Sequence, residues 1–153
     1  MTEIVRADAR EEYMPLLLIG DEQEDMVRRY LDRSTIYVLR EDGEDCALCA
    51  VTDEGGGVLE IKNIAVYPQF QRRGFGRKLI DHISAVYAGK FSRITAGTGD
   101  SPFTVPFYEK CGFVCVSRVK DWFTQHYDHP IYEGGVQLRD MLIFEKNWRS
   151  ECY

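Results

Sequence analysis

The chain has no long apolar run. Its uninterrupted apolar stretches, such as Leu16–Ile19, are far shorter than the roughly 20 residues that a membrane-spanning helix needs. The first residues also lack the apolar segment of an export signal, because Glu3, Arg6, Asp8 and Arg10 interrupt them with charge. We therefore expect a cytoplasmic protein that has no contact with a membrane.

Basic residues are in the minority. The chain carries 19 Lys and Arg against 25 Asp and Glu, which gives a net charge of −6 at pH 7. Nonspecific binding of nucleic acid requires a basic surface, so this balance argues against a nucleic-acid partner. An acidic surface instead favours a substrate that carries positive charge.

Cysteines are few and form no recognisable metal-binding framework. There are five of them, an odd number, and the thiols of a cytoplasmic protein stay reduced. Cys46 and Cys49 form the only C-x-x-C pair, but their segment predicts a strand, on which residues three apart point to opposite faces. We interpret both as small core residues rather than as metal ligands or a redox pair.

Apolar periodicity and turn residues predict a mixed order of strands and helices. The predicted strands span residues 1–10, 34–40, 46–52, 58–67, 91–97, 113–119 and 136–145, and the predicted helices span 11–33, 75–87 and 101–110. Pro15 and Gly20 interrupt the first helical pattern, which is consistent with two helices. Residues 120–135 are predicted to be irregular. Because three strands follow one another directly, we predict a mixed α/β fold in one domain spanning 1–153.

The most informative segment is a glycine-containing loop between a predicted strand and the next helix. The loop consists of Gln71, Arg72, Arg73, Gly74, Phe75, Gly76 and Arg77. Glycine lets the backbone approach a ligand closely, and the N–H groups at a helix start attract anions with the help of the helix dipole. The three arginines add positive charge to an acidic protein. The pattern therefore predicts a phosphate site.

Two common phosphate motifs do not match this loop. A dinucleotide-binding fingerprint needs a third glycine at the position of Leu79, and a P-loop needs Lys and then Ser or Thr directly after Gly76. An ordinary turn into a helix, or another kind of nucleotide site, are the alternatives that the loop alone leaves open.

Together with a second motif, the loop resembles the GNAT superfamily of acyl-CoA N-acyltransferases. Q-x-x-G-x-G follows a strand that ends in A-V, as in the coenzyme A pyrophosphate loop of that family, and F-Y-E-K-C-G-F at 107–113 resembles its F-Y-x-K-x-G-F segment. The resemblance implies the GNAT fold, an α/β fold whose mixed central sheet is splayed between its fourth and fifth strands and flanked by helices. It also implies acetyl-CoA as co-substrate, no metal, and transfer of the acetyl group to a primary amine of a small molecule or peptide.

The resemblance also implies which residues bind the cofactor. The backbone of Ile64, Ala65 and Val66 would hold the pantetheine arm, and residues 71–77 would hold the pyrophosphate. The family often has an asparagine near the position of Asp100, and an ionised aspartate accepts hydrogen bonds but cannot donate them. Either Asp100 accepts a pantetheine N–H, or Ser101 replaces it, or this contact is missing.

Two residues match catalytic positions of the family. Tyr108 matches the tyrosine that protonates the departing thiolate in many members, and the alternative is a core tyrosine packed on the cofactor. Glu60 matches the position of a general base in some members. Because Glu60 alternates with Lys62 along one strand, an exposed or salt-bridged carboxylate is the alternative. Backbone N–H groups of the splayed strand would stabilise the oxyanion.

The acceptor end of the chain is rich in aromatic residues and resembles a bacterial GNAT branch labelled YvbK-like. The predicted substrate-binding residues are Trp122, Phe123, His126, Tyr127 and Tyr132. His126 and His129 have the spacing of a helical zinc pair, but Pro130 and its neighbours predict a loop. We interpret this segment as a wall of the acceptor site, suited to a cation, or as a contact in a homodimer.

A non-catalytic acyl-CoA-binding module, acting as a sensor or a subunit, is the alternative to an enzyme. Tyr108 and Glu60 count against it, whereas the departure at Asp100 counts for it. We therefore predict an acetyl-CoA-dependent N-acetyltransferase whose amine acceptor the sequence does not reveal.

Overall fold

A computed structural model of the protein describes residues 1–148, in two compact units. The first unit is Met1–Phe91, and the second begins at Ser92. The predicted domain limit at residue 153 and the fifth cysteine, Cys152, lie outside the described residues. The organisation as one domain stays a prediction.

Four antiparallel strands in the order β1-β2-β3-β4 form the sheet of the first unit. They are β1 (Thr2–Ala7), β2 (Thr35–Glu41), β3 (Glu44–Gly55) and β4 (Val58–Val66). Asp42 and Gly43 connect β2 to β3 with φ values of 52° and 83°, the backbone that a two-residue hairpin turn prefers. The predicted Asp-Gly turn is thus confirmed.

The helical segment before β2 consists of separate pieces. They are a 3-10 turn (Arg10–Tyr13), α1 (Met14–Gly20) and α2 (Glu24–Leu31). Gly20 ends α1, which confirms the division into two helices. Pro15 lies in the first turn of α1, directly after the 3-10 turn, where its missing N–H costs no hydrogen bond. No helix among residues 1–148 is long and apolar enough to cross a membrane.

Helices cover both faces of this sheet. The α1/α2 face buries a cluster made of Leu16, Leu17, Val27, Tyr30, Leu31, Ile36, Val38, Leu48, Ala50 and Ala65. On the other face lies α3 (Phe75–Val86), which follows a 3-10 turn (Pro68–Phe70). The ring of Tyr37 in β2 contacts His82 within α3 and Tyr87 directly after it. Cys46 and Cys49 are buried free thiols, as predicted, and burial raises the pKa of Cys49. The sheet is therefore the centre of two apolar layers.

A one-residue bulge in β4 changes which side chains reach which layer. Val51 of β3 pairs with Ile61, whereas the residue before it, Ala50, pairs with Asn63. Lys62 is therefore an extra residue in β4. Paired residues share a face, and neighbours in β3 point to opposite faces. Asn63 therefore lies on the α1/α2 face, whereas Ile61 lies on the α3 face.

The second unit contains a three-stranded antiparallel arrangement in the order β5-β9-β6. Its elements are β5 (Arg93–Gly99), α4 (Thr104–Lys110), β6 (Val114–Val119), α5 (Trp122–His126), β7 (Tyr132–Glu133), β8 (Val136–Gln137) and β9 (Met141–Asn147). Its core is aromatic, because the ring of Tyr108 contacts the rings of both Phe113 and Phe144. All six residues of β6 are exposed.

Three predictions for this unit need correction. Residues 120–135, predicted to be irregular, contain α5 and half of a small hairpin. The last strand begins at Met141 rather than at Val136, because Gly134 and Gly135, with φ values of 56° and 78°, turn β8 back onto β7. The helix predicted from residue 101 begins at Thr104, because the hydroxyl of Ser101 accepts the N–H groups of Phe103 and Thr104 just before it.

A charged network fixes the start of α5. Arg118 of β6 forms an ion pair with Asp140 at 2.7 Å, and the other oxygen of Asp140 accepts the N–H of Asp121 at 2.8 Å. Asp121 has a φ of 56° and directly precedes α5. The hydrogen bond from Asp121 and that from Arg118 lower the pKa of Asp140 below its ordinary value of 3.8. The ionised carboxylate of Asp140 thus holds Asp121, the left-handed residue directly before α5.

Arg118→Gln should raise the pKa of Asp140 toward 3.8. Because the folded-state pKa is the lower one, ionised Asp140 stabilises the folded protein above the ordinary value, and this stabilisation is lost as pH falls through the lower folded-state pKa. An NMR titration of the Asp140 carboxylate measures the shift. Arg139→Gln is the matched control, since it removes the same charge beside Asp140 without a hydrogen bond to it. An equal pKa in both variants and the wild type would contradict the network.

Candidate active site

The glycine loop ends at an uncapped helix start. Gly74 directly precedes α3 with a φ of 78°, and glycine has no side chain with which to cap the helix. A Cβ built at Gly74 would meet no atom within 4 Å, so there is open space beside the residue that precedes α3. Arg72 also has a positive φ, 66°, which is strained for a residue other than glycine. An anionic group can therefore approach the helix start.

Three exposed arginines lie next to this helix start in sequence. Arg72, Arg73 and Arg77 are exposed, and within residues 1–148 none of them forms an ion pair. The Arg73 guanidinium lies 5.4 Å from the ring centre of Phe70, a distance at which a ring attracts a cation. Unpaired cations in a chain with net charge −6 are typical of an anion site.

The predicted pantetheine segment lies at the end of β4. Ile64, Ala65 and Val66 pair with Cys49, Leu48 and Ala47 of β3. The side-chain amide of Gln71 donates to the carbonyl of Val66 at 3.1 Å, and so fastens the loop to the strand. The predicted contact of Gln71 with pyrophosphate would accordingly come from its backbone. Phe75 and Gly76 are buried, so they too offer backbone rather than side chain.

The predicted base, Glu60, forms an ion pair. Its carboxylate lies 2.6 Å from the Lys62 ammonium, and the two side chains are 28% and 20% exposed. The salt-bridged alternative that the sequence left open is therefore observed. A carboxylate has about four lone-pair sites, so pairing with Lys62 leaves Glu60 able to accept a proton.

The predicted acid, Tyr108, is held in the aromatic core of the second unit. It is 4% exposed, its ring stacks on Phe144 with 5.6 Å between centroids, and its edges meet Phe107 and Phe113. Tyr108 is thus a core tyrosine, while the packing of its ring on a cofactor stays a prediction. A ring fixed on three sides also holds its hydroxyl in one place, as an acid requires.

The two residues offered as replacements for the family asparagine have other partners. The Asp100 carboxylate lies 3.5 Å from Arg118, at the surface. Ser101 is buried, and its hydroxyl is occupied at the start of α4. A pantetheine contact from either would have to compete with these bonds.

Four of the five predicted acceptor residues form one aromatic cluster. Trp122 stacks on His126 with 4.5 Å between centroids, and Phe123 stacks on Tyr127 with 5.5 Å. Trp122 also meets the edges of Phe123 and Tyr127. Tyr132 lies outside the cluster, 58% exposed on β7. The four rings at α5 therefore form an apolar surface. Because they stack in pairs, each ring covers part of a neighbouring ring.

The two histidines do not act as a helical zinc pair. The loop prediction for His126 was wrong, since α5 ends there, and its Nδ1 lies 2.8 Å from the carbonyl of Trp122. His129 lies beyond the helix, and its Nδ1 is 2.6 Å from Asp128. Among residues 1–148 no group of three or more His, Cys, Asp and Glu side chains is arranged to hold a metal ion.

Sequence reasoning missed Asn63, which is buried beside the predicted pantetheine segment. A polar residue inside the apolar strand V-L-E-I-K-N-I-A-V was the available signal. It also missed Asp140, because nothing local indicates that this residue holds Asp121.

Comparison with known proteins agrees with these observations. The family model described as "Acetyltransferase (GNAT) domain" matches residues 32–115. The chain is 34% identical over 137 residues, or 88% of each chain, to a protein of Bacillus subtilis strain 168 named "Uncharacterized N-acetyltransferase YvbK".

Two solved structures share the fold. A GNAT acetyltransferase of Elizabethkingia anophelis with acetyl-CoA bound has a TM-score of 0.89 at 27% identity, covering 95% of this chain and 97% of its own. A Bacillus subtilis acetyltransferase in complex with CoA has a TM-score of 0.86 at 32% identity, covering 96% and 99%.

These likenesses confirm the predicted mixed α/β fold class, while the splay between the fourth and fifth strands stays a prediction. Both solved structures were determined with CoA or its acetyl ester in place, which agrees with the cofactor predicted from the glycine loop. The family model covers more than half of the chain, and the YvbK protein is similar over most of it. The chain therefore belongs to the GNAT family and is an N-acetyltransferase that takes its acetyl group from acetyl-CoA.

Proposed function

We propose that this protein transfers the acetyl group directly to a primary amine, carried by a small cationic molecule or by a lysine side chain or N-terminus. The observation that carries the proposal is the uncapped helix start at Gly74, which has open space beside it and three exposed arginines within three residues in sequence, none of them ion-paired among residues 1–148. This is the arrangement that a pyrophosphate needs, and it lies one short loop after β4.

The proposed pyrophosphate and pantetheine sites both lie in the first unit. The pyrophosphate would accept hydrogen bonds from the first N–H groups of α3, with Arg72, Arg73 and Arg77 neutralising its charge. The pantetheine arm would lie along the backbone of Ile64–Val66. The bond from Gln71 to Val66 supports this assignment, because it keeps the loop next to the end of the strand.

The chemistry needs proton transfers at the nitrogen of the amine and at the sulfur of CoA. The amine loses a proton to Glu60 or to a water molecule, and its nitrogen then attacks the thioester carbon. The C–N bond forms, backbone N–H groups of β4 stabilise the oxyanion, and the C–S bond breaks. Tyr108 gives its proton to the departing sulfur, which becomes the thiol of CoA. The nitrogen, positively charged after its attack, loses a second proton as the amide forms, and the phenolate of Tyr108 is protonated again.

The acceptor is proposed to approach the aromatic cluster of α5. The net charge of −6 and the acidic side chains of Asp121 and Asp128 next to α5 favour a cation. The rings of the cluster would contact its apolar part. A homodimer contact is the alternative role of this segment, and sedimentation of the purified chain as a monomer would remove it.

A non-catalytic binding module is not favoured, since the relatives above are named as acetyltransferases. A panel of polyamines, aminoglycosides, amino acids and peptides, assayed for release of free CoA, tests the transferase directly. If the protein binds acetyl-CoA but no amine causes release of CoA, the non-catalytic binding module becomes the preferred function. The same panel identifies the acceptor class, and fractionation of cells tests the proposed cytoplasmic location.

Gly74→Asp should weaken acetyl-CoA binding by about tenfold or more, because it places a negative charge where the pyrophosphate is expected. Isothermal titration with acetyl-CoA, beside NAD and ATP, measures the loss. Gly74→Asn is the matched control: asparagine tolerates a positive φ and the space is open, so it should bind nearly as well as the wild type. Equal affinities of the two variants would show that charge at this position is irrelevant.

Tyr108→Phe should lower kcat by about 100-fold or more while acetyl-CoA affinity stays nearly intact. Phenylalanine keeps the ring contacts with Phe107, Phe113 and Phe144, so the hydroxyl is the only group removed. Steady-state kinetics with a saturating amine measures the effect. Tyr87→Phe removes a hydroxyl in the first unit and should leave kcat unchanged. An unchanged kcat in Tyr108→Phe would remove this residue from the mechanism.

Glu60→Gln should flatten the rise of the rate with pH, because the amide cannot take the proton of the ammonium. The pH profile of kcat/KM measures this. Glu54→Gln is the control, since Glu54 is another partly buried, ion-paired carboxylate of the same sheet, bonded to Arg33. If the Glu60 variant keeps the wild-type profile, a water molecule rather than Glu60 accepts the proton.

A further inference from the structure

Asn63 is a buried polar residue in an apolar layer. It is 4% exposed, and the bulge at Lys62 directs it to the α1/α2 face of the sheet. Its Oδ1 atom is buried and has no hydrogen-bond partner among the described residues. A buried amide oxygen without a partner costs free energy, whereas an apolar side chain of the same size would not. Stability alone therefore does not explain an asparagine here.

The amide nitrogen of Asn63 ties β4 to both α1 and α2. It donates to the carbonyl of Leu17 at 2.8 Å and to the hydroxyl of Tyr30 at 3.0 Å. The carbonyl can only accept, so the nitrogen must face it and Oδ1 must point away. Tyr30 in turn donates to Asp21, the residue directly after α1, at 3.4 Å. One side chain thus fastens the strand to two helices.

Gly20 allows α1 to come this close. A Cβ built on Gly20 would overlap Oδ1 of Asn63 and would lie 3.1 Å from the carbonyl oxygen of Ile64. Alanine is a better helix former than glycine, so the glycine serves the close approach and not the helix itself. The last turn of α1 therefore touches β4 at Asn63 and Ile64, the start of the predicted pantetheine segment.

We propose that Asn63 is a positioning residue for acetyl-CoA, which orients the backbone of Ile64–Val66 by fastening β4 to α1. A bulge disrupts the ladder of hydrogen bonds around its extra residue, so the orientation of the peptide groups after Lys62 needs another support. The hydrogen bond from Asn63 to the carbonyl of Leu17 supplies this support from α1. The inference rests on the proposed function in one respect, the assignment of pantetheine to Ile64–Val66.

Three variants separate positioning from stability. Asn63→Ala and Gly20→Ala should each raise the Kd for acetyl-CoA roughly tenfold or more, because misplacing a binding group by about 1 Å can cost about 100-fold. In the double variant the methyl group of residue 20 enters the space left by the amide. Its thermal midpoint should therefore exceed that of the less stable single variant, while its Kd stays as high as in Asn63→Ala.

Titration calorimetry and thermal unfolding measure these two quantities, and kinetics should show KM for acetyl-CoA rising more than kcat falls. Recovery of affinity together with stability in the double variant would mean that Asn63 only fills the core, and would overturn the proposal. Ser34→Ala is the matched control: Ser34 is fully buried in the same unit and bonded to the carbonyl of Leu31 at 2.9 Å. It should lower the midpoint without changing Kd. A rise in Kd equal to that of Asn63→Ala would also overturn the proposal.

Hydrogen exchange without ligand distinguishes the two ways in which the proposal can fail. The amides of Ile64–Val66 should exchange faster in Asn63→Ala than in the wild type or Ser34→Ala. Faster exchange with unchanged Kd would show that pantetheine does not lie on this strand, which rejects that part of the proposed function and the inference with it. Unchanged exchange with unchanged Kd would reject the role of Asn63 alone, and Gly74→Asp would still test the pyrophosphate site.

Discussion

The bulge at Lys62 decides how β4 serves both layers of the first unit. Regular alternation would place Asn63 on the same face as Ile61, against the apolar side of α3. One extra residue reverses the alternation, so the amide meets the carbonyl of Leu17, and Ala65 joins the α1/α2 cluster. The end of the strand is thereby fastened to α1 on one face and, through Gln71, to the glycine loop.

The cofactor end combines several locally unfavourable features with a well-packed support. The start of α3 is uncapped, Arg72 has a left-handed backbone, and three guanidinium groups lack ion-pair partners within residues 1–148. The same helix buries Leu79, Ile80 and Ile83 completely. The packed face of α3 thus stabilises a loop conformation that a surface loop would not keep by itself. The N–H groups at the helix start and the guanidinium groups are those that an anionic ligand would bind.

Local signals predicted the structure around the glycine loop and Tyr108 well and that of residues 120–135 poorly. The glycine loop, the start of α3 at Phe75 and the placement of Tyr108 on a short helix all followed from motifs within a few residues. Helix α5 has only five residues, too few for an apolar period, and it depends on Asp140, which is 19 residues away from Asp121 in sequence. The role of Asn63 depends on a bulge, and pairing register cannot be read from one strand alone.

The exposed strand β6 has a consequence for the protein in concentrated solution. Val114, Val116 and Val119 are 63%, 52% and 40% exposed, and within residues 1–148 the strand pairs only with β9. Its single charge, Arg118, is neutralised by Asp140 and Asp100, so β6 itself offers little repulsion to another strand edge. Colloidal stability then depends on the net charge of the whole chain. Salt, or a pH closer to the isoelectric point, would remove the force that keeps these edges apart.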